Sequence, residues 1–137
     1  MILIIDFGSQ VTQLIARRIR ELNVYCEIIP WDVDILKNIS LIGANAVILS
    51  GGPDSTRIKR SPTISKKVFE LNIPLLGIFY GHELICKLLG GKISKSGKRE
   101  FGKTVIKKVI KTQSPLLKNL FKKNSEEVWI CLLYTSD

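Results

Sequence analysis

Apolar and polar residues alternate along the first half of the chain in blocks that are typical of strands and helices. Residues 1–5 are all apolar and are followed by Asp6, which predicts a buried parallel strand that ends in a polar loop. From Gln10 onward the apolar residues recur at helical spacing with charged residues between them, which predicts an amphipathic helix lying on a sheet. Two more strands are predicted at residues 24–29 and 44–49, with only a short segment between them.

The alternation continues through the next forty residues or so. A helix is predicted at residues 62–71, with a proline in its first turn, and a strand at residues 74–78. The next helix is predicted at residues 83–89, where Gly90 and Gly91 end it. Because strands and helices alternate, we expect an α/β fold, with a mostly parallel sheet and helices on both of its faces.

The periodicity is weaker beyond residue 92. Residues 104–110 and 128–133 have the composition of strands, and residues 115–121 are compatible with a helical turn. A chain of 137 residues is long enough for one domain with its own core and too short for two ordinary ones. One domain is therefore expected.

The net charge of +9 is concentrated in one stretch. Residues 92–123 carry eleven basic residues and one acidic residue. Phe101 and Phe121 are the only aromatic residues there, whereas a protein that binds single-stranded nucleic acid interleaves aromatic residues with basic ones. A solvated lysine-rich surface is favoured over a phosphate-binding patch, and nucleic acid is not expected as a partner.

The apolar runs are too short for a membrane span, which needs roughly 18–20 residues. Asp6 also interrupts the first run before it resembles a signal peptide. We expect a soluble, cytoplasmic protein with no membrane partner.

The cysteines and the single histidine do not form a convincing metal-ligand cluster. Cys26, Cys86 and Cys131 form neither an even disulfide set nor a C-x-x-C pair, and His82 is the only histidine. Reduced thiols, no metal and no cofactor bound by this chain are expected. Cys26 and Cys86 are interpreted as structural thiols, and His82 as an exposed or locally bonded residue.

Residues 77–81, Gly-Ile-Phe-Tyr-Gly, have the spacing of a nucleophile elbow, in which a reactive residue lies on a tight strand-to-helix turn. A nucleophile there is activated by the N-terminus of the following helix and by nearby backbone N–H groups. The central residue is Phe79, whose phenyl ring has no lone pair with which to attack a carbonyl carbon. The spacing alone is equally compatible with simple close packing of a strand against a helix.

Short motifs occur along the chain in a characteristic order: Asp6-Phe-Gly-Ser-Gln10, Thr12-Gln-Leu-Ile-Ala-Arg-Arg18, Arg20-Glu21, Val24-Tyr-Cys-Glu27, Leu49-Ser-Gly-Gly-Pro53, Gly77-Ile-Phe-Tyr-Gly81, Leu88-Leu-Gly-Gly91 and Lys98-Arg-Glu-Phe-Gly102. Over about residues 2–130 the sequence resembles the amidotransferase domain of GMP synthetases. The resemblance implies a class I glutamine amidotransferase with a flavodoxin-like α/β fold that is truncated at its C-terminal end. Residues 1–130 are accordingly expected to form a partial amidotransferase domain.

The resemblance also implies an activity and its residues. In the family a Cys-His-Glu triad releases ammonia from glutamine, and an ATP-pyrophosphatase synthetase domain, which uses ATP and Mg, delivers it to XMP to make GMP. Phe79 stands at the position of the nucleophilic cysteine. By the same match the oxyanion hole would use the backbone N–H groups of Gly52 and Tyr80, with Gly51 shaping the loop, and Glu83 would stand at a substrate-contacting position.

Several departures from the family's pattern count against activity. A carboxylate at Glu83 lacks the donor of the amide normally found there and repels the α-carboxylate of glutamine, so glutamine binding is not expected. We also expect the ring of Phe79 to fill the small glutamine pocket. The family's histidine and glutamate lie further along the domain than this sequence reaches. Residues 131–137 resemble translated sequencing-adapter sequence, and a non-native tail is expected there.

The sequence is therefore predicted to be the glutaminase portion of a GMP synthetase, acting in purine nucleotide biosynthesis, and to be catalytically inactive as it stands. Its expected partner is the synthetase domain. The alternative is a pseudoenzyme, a non-catalytic module that binds or regulates a synthetase partner.

Overall fold

The computed structural model describes residues 1–52, 62–92, 100–107 and 125–132. The chain divides into two compact units, residues 1–93 and 94–137, and each is described by itself. Among the helices in the described ranges, none is long and apolar enough to cross a membrane.

The first unit is built around a four-stranded parallel sheet with the strand order β2-β1-β3-β4. Its elements in chain order are β1 Ile2–Asp6, α1 Val11–Glu21, β2 Cys26–Pro30, α2 Ile35–Ile42, β3 Ala46–Leu49, a short 3₁₀ helix Lys66–Glu70, β4 Leu75–Gly77 and α3 Tyr80–Leu88. The predicted parallel sheet is thus confirmed.

The winding of the chain reverses between β1 and β3. The chain passes from β1 to β2 on one side and then returns to β3 on the other side. Ile5 lies opposite Leu49, so the loops that follow these two strands start next to each other. In open α/β sheets, ligands bind in the crevice at such a point, outside the carboxyl ends of the strands.

Successive residues of β1 enter two different hydrophobic clusters because side chains alternate between the faces of a strand. Leu3 and Ile5 belong to the cluster that also contains buried residues of α2, the 3₁₀ helix and α3. Ile4 packs in the other cluster with Ala16 of α1 and with Cys26. The helices therefore cover both faces of the sheet, as predicted. Burying each of these Leu and Ile side chains stabilises the fold by about 1.5–3 kcal/mol.

Helix α2 was not predicted, because no element was assigned to the short segment between β2 and β3. Asp34 caps the helix, since its carboxylate accepts a hydrogen bond from the backbone N–H of Lys37 at 3.1 Å. Gly43 follows the helix in a left-handed conformation with φ of 70°. The only buried residues of α2 are Ile35 and Ile39, so the apolar periodicity spans too few turns to identify a helix. The capping aspartate and the terminal glycine were the available signals.

Two other helices begin at different residues than predicted. The helix expected at residues 62–71 is the 3₁₀ helix Lys66–Glu70, which Ser65 caps by accepting a hydrogen bond from the Lys67 N–H at 3.2 Å. Helix α3 begins at Tyr80, three residues earlier than predicted, because the chain turns directly from Phe79 into helical conformation. The described strands agree with prediction to within two residues at each end in the first unit.

The second unit contains an antiparallel pair formed by β5 Glu100–Lys107 and β6 Ser125–Leu132. Both strands were expected near these positions, and both begin three or four residues before the predicted start. The helical turn predicted at residues 115–121 lies outside the described residues. Strand β6 extends into the first two residues of the predicted tail, where Cys131 pairs with Phe101 and Leu132 with Glu100.

Candidate active site

A tight turn joins β4 to α3 at the carboxyl edge of the sheet. Phe79 lies in this turn with φ of 53° and ψ of −114°, a backbone conformation that residues other than glycine rarely adopt. The Phe79 carbonyl accepts a hydrogen bond from the Glu83 N–H at 3.1 Å, and the Gly81 N–H donates to the Ser50 carbonyl at 3.1 Å. The turn is therefore fixed both to the first turn of α3 and to the end of β3.

Two glycines allow α3 to approach the sheet this closely. A Cβ atom at Gly81 would lie 2.1 Å from the carbonyl oxygen of Leu49, and a Cβ atom at Gly77 would lie 2.7 Å from the Cα of His82. The close-packing interpretation of the glycine spacing is therefore correct. It does not account for the strained backbone of Phe79, which is the feature expected of the central residue in a nucleophile elbow.

The side chain of Phe79 points away from the core and is 66% exposed. The expectation that its ring fills a pocket was wrong. The reason is the turn itself, which directs the central side chain out of the sheet edge, where a small reactive group would meet a substrate. A phenyl ring placed there remains in solvent and contributes little packing.

Buried polar groups support the neighbouring loops. The Thr12 hydroxyl donates a hydrogen bond to the Asp6 carboxylate at 3.0 Å and lies 2.8 Å from the Ser50 hydroxyl. The Ser50 hydroxyl also bonds the Ile5 carbonyl oxygen at 2.7 Å. Thr12 and Ser50 are 1% and 0% exposed, so these hydrogen bonds satisfy groups that have no access to solvent. The network joins the end of β1 to α1 and to the first residue after β3.

Gly51 brings the three strand-end loops together. It follows β3, and a Cβ atom there would lie 3.3 Å from the Ser9 hydroxyl oxygen and 3.7 Å from the Cβ of Phe79. Ser9 comes from the loop after β1, where its hydroxyl also accepts a hydrogen bond from the Val11 N–H at 3.1 Å. These loops thus meet at the carboxyl edge of the sheet, with Phe79 beside them.

The two residues predicted to form the oxyanion hole are in contact. A Cβ atom at Gly52 would lie 2.8 Å from the Cγ of Tyr80, so the loop after β3 passes directly over the start of α3. The Tyr80 ring is 3% exposed and packs against Phe7 with ring centroids 5.3 Å apart, while its hydroxyl bonds the Pro62 carbonyl. Tyr80 is therefore a rigid anchor for the first turn of α3. That the backbone N–H groups of Gly52 and Tyr80 act as oxyanion donors stays a prediction.

Glu83 lies in the first turn of α3 and is half-buried. A negative charge at this end of a helix interacts favourably with the helix dipole. The structure therefore gives Glu83 a stabilising role at the helix start. Its predicted position toward a substrate is not tested by these contacts.

The thiols and the histidine are arranged as follows. Cys26 is buried, and its thiol donates to the Ala16 carbonyl at 3.6 Å, which confirms it as a structural residue. His82 is exposed, as predicted, and contacts the half-buried Cys86 within α3. Thr12, Ser50 and Ser9 were not identified as site residues from the sequence, although they lie inside the quoted motifs.

Phe79→Gly is expected to raise the free energy of unfolding by about 1 kcal/mol. Glycine adopts the observed backbone conformation without strain, which costs other residues about 1–3 kcal/mol, and the exposed ring has little packing to lose. The greater freedom of glycine in the unfolded chain offsets part of the gain. Urea unfolding measures the change. Phe79→Ala, which keeps a Cβ atom, serves as the control and should gain nothing; a glycine variant no more stable than the alanine variant contradicts the strain.

Residues 3–130 match the family model for the class-I glutamine amidotransferases. The chain is 51% identical to the GMP synthase [glutamine-hydrolyzing] of Caldanaerobacter subterraneus subsp. tengcongensis over 119 residues, which are 87% of this chain and 23% of that protein. It is 48% identical to the enzyme of the same name from Finegoldia magna over 122 residues, 88% of this chain and 23% of that protein. The chain thus spans about a quarter of the length of these curated relatives.

A solved structure agrees with the sequence comparison. The crystal structure of a Thermoplasma acidophilum protein assigned as a GMP synthase subunit superposes with a TM-score of 0.73 at 30% identity, over 93% of this chain and 62% of that chain. Together with the parallel sheet and the strained turn between β4 and α3, the match over residues 3–130 shows that the chain belongs to the class-I glutamine amidotransferase family.

Proposed function

We propose that this chain is the glutaminase portion of a glutamine-hydrolysing GMP synthase and that it does not itself hydrolyse glutamine. The family and the names of its relatives support the first part. One observation carries the second part: the strained position between β4 and α3 holds Phe79.

The chemistry of the proposal follows from what that position must supply. In amide hydrolysis at a nucleophile elbow, a thiolate attacks the side-chain amide carbon, the C–N bond breaks with protonation of the departing ammonia, and water then cleaves the thioester. The contact between Gly52 and Tyr80 keeps the two predicted oxyanion-hole residues together. The contact supports an elbow whose backbone is in place, but the phenyl ring of Phe79 cannot form the carbon–sulfur bond.

Glu83 strengthens the proposal because it opposes glutamine binding. The half-buried carboxylate lies in the first turn of α3. It can only accept hydrogen bonds when ionised, and it repels a substrate that carries a carboxylate. The site would therefore have a lower affinity for glutamine at this helix start, in addition to having no nucleophile.

The proposed partner is an ATP-pyrophosphatase synthetase domain, which would bind ATP and Mg and convert XMP to GMP. With the glutaminase step absent, such a synthetase would take its ammonia from solution. A cytoplasmic location is proposed to accompany this role. This chain is assigned no cofactor of its own.

A pseudoenzyme module remains the second candidate. The specific observation in its favour is that the glycine packing of Gly77 and Gly81 against β3 and α3 is intact although the nucleophile is absent. A module that only binds and positions a synthetase needs this packing but no thiol.

Ammonia release from glutamine tests the proposed inactivity. The purified chain should release no ammonia above the buffer rate, whereas the Caldanaerobacter GMP synthase serves as the active control. Ammonia formation that rises in proportion to the concentration of this chain would show that the proposed inactivity is wrong.

Association with a synthetase tests the proposed partner. The chain is mixed with the synthetase portion of the Caldanaerobacter enzyme, XMP, ATP and Mg, and GMP is measured with either ammonium chloride or glutamine. We expect a complex by sedimentation, GMP with ammonium chloride and none with glutamine. A lack of association contradicts the GMP synthase assignment, and stimulation of the synthetase by the bound chain favours the regulatory pseudoenzyme.

A further inference from the structure

His82 and Cys86 form a pair on the exposed side of α3 that the proposed function does not use. They are four residues apart in the helix, so their side chains lie over the same stretch of its surface. The Sγ atom of Cys86 is 3.8 Å from the Nε2 atom of His82. Both are donor atoms that zinc and similar cations prefer.

The separation of the two donor atoms suits one shared cation. Zinc binds thiolate sulfur at about 2.3 Å and imidazole nitrogen at about 2.0–2.1 Å in tetrahedral geometry, which places the two donor atoms about 3.6 Å apart. The observed Sγ to Nε2 distance is 3.8 Å. The separation of the two donor atoms is therefore already close to the value that a shared cation requires.

The surroundings leave room for the rest of the coordination shell. His82 is exposed and Cys86 is half-buried, so water can reach a cation held between them. Among the described residues no group of three or more potential ligands occurs, and water molecules would fill the remaining positions. Such a site exchanges its cation readily, unlike a closed structural zinc site.

We propose that His82 and Cys86 bind one borderline divalent cation of the zinc class. On binding, the thiol of Cys86 loses its proton to solvent and the neutral imidazole of His82 donates its Nε2 lone pair to the cation. The cation then links two successive turns of α3, the helix that begins directly after Phe79. This site is independent of glutamine chemistry and of the proposed function.

Cobalt(II) titration of the reduced chain tests the site, because a thiolate bound to cobalt gives charge-transfer absorption in the near ultraviolet. The native chain should bind one cobalt ion with this absorption, and zinc should displace it. His82→Ala and Cys86→Ser should each weaken binding by at least about tenfold, by comparison with the 10–100-fold cost of losing even an indirect partner of a metal ligand. Cys131→Ser serves as the matched thiol control and should bind as the native chain does.

Unchanged absorption and affinity in either the His82→Ala or the Cys86→Ser variant would overturn the proposal, as would loss of the absorption in Cys131→Ser alone. His82→Ala replaces an exposed residue within a helix, so its fold should be retained. Far-ultraviolet circular dichroism of each variant separates loss of a ligand from loss of the fold.

Discussion

Gly81→Ala is expected to lower the free energy of unfolding by about 3 kcal/mol or more, at or beyond the upper end of the usual cost of overpacking. The added methyl group would lie 2.1 Å from the Leu49 carbonyl oxygen. That oxygen belongs to the backbone of β3, so no side-chain rotation can relieve the overlap. Helix α3 would have to move away from the sheet, which would break the hydrogen bond from the Gly81 N–H to the Ser50 carbonyl, 3.1 Å long.

Urea unfolding followed by circular dichroism measures this loss. Gly43→Ala is the matched control, because a Cβ atom there meets nothing within 4 Å although φ is +70°. The control variant should lose only about 1 kcal/mol, the cost of placing alanine in a left-handed conformation. Equal losses in the two variants would show that α3 does not approach β3 as closely as the structure has it.

The strands and the first helix of the sheet were predictable because burial determines their pattern. Residues 1–5 are apolar throughout, as expected of a strand covered on both faces, and they form most of β1. Helix α1 has a clear apolar stripe, with Ala16 fully buried. Helix α2 escaped prediction because it buries only two residues, and a stripe of two cannot define a period.

Local residue spacing and the family resemblance predicted the backbone turn of the site but not the direction of its central side chain. The glycines on either side of Phe79 identified a strand-to-helix turn, and the turn is present. The direction of the Phe79 ring was not predictable from a preference for burying apolar residues, because the backbone at this position directs any side chain outward. The 66% exposure of the ring is therefore a consequence of backbone conformation and not of side-chain polarity.

The polar network beneath the site depends on contacts between distant residues. Thr12 and Ser50 are 38 residues apart in sequence and 2.8 Å apart between their hydroxyl oxygens. Nothing in the local composition around either residue indicates this pairing. It arises because β1 and β3 are neighbours in the sheet, which brings the start of α1 and the end of β3 together.

The strained backbone conformation at Phe79 is imposed by the residues around it. A structure tolerates an unfavourable backbone conformation at a non-glycine residue when the surrounding contacts enforce it. Here the packing of Gly77 and Gly81 and the hydrogen bond to the Ser50 carbonyl enforce it. The elbow therefore persists independently of what its central residue can do, and a nucleophile introduced there should take up the same position.

Phe79→Cys is accordingly expected to create a highly reactive thiol without creating a glutaminase. The new thiol would lie at the N-terminus of α3, whose partial positive charge favours the thiolate. A decrease of one unit in the thiol pKa corresponds to a tenfold change in the ionisation equilibrium, so alkylation by iodoacetamide at neutral pH should be about tenfold faster than that of Cys86. Mass spectrometry of the labelled peptides assigns the rate to each cysteine.

Ammonia release from glutamine should nevertheless stay at the buffer rate in the Phe79→Cys variant. The only histidine of the chain is His82, whose Nε2 atom faces Cys86 at 3.8 Å, so no histidine is placed to take the proton of the introduced thiol and pass it to the departing ammonia. Glutamine turnover by this variant would show that the elbow needs no further triad members, contrary to the family's chemistry.

A second substitution separates reactivity from recognition. Adding Glu83→Gln to Phe79→Cys removes the carboxylate that is proposed to repel glutamine and supplies an amide donor in its place. The probe is a glutamine analogue that carries an electrophilic ketone. The double variant should react with it about tenfold faster than the single variant does. The reason is that one favourable charge-assisted contact, worth about 1.4 kcal/mol, would replace a repulsion. Iodoacetamide, which has no α-carboxylate, should react with both variants at the same rate. Equal rates with the glutamine analogue would mean that Glu83 does not face the substrate, and its role would then be confined to the start of α3.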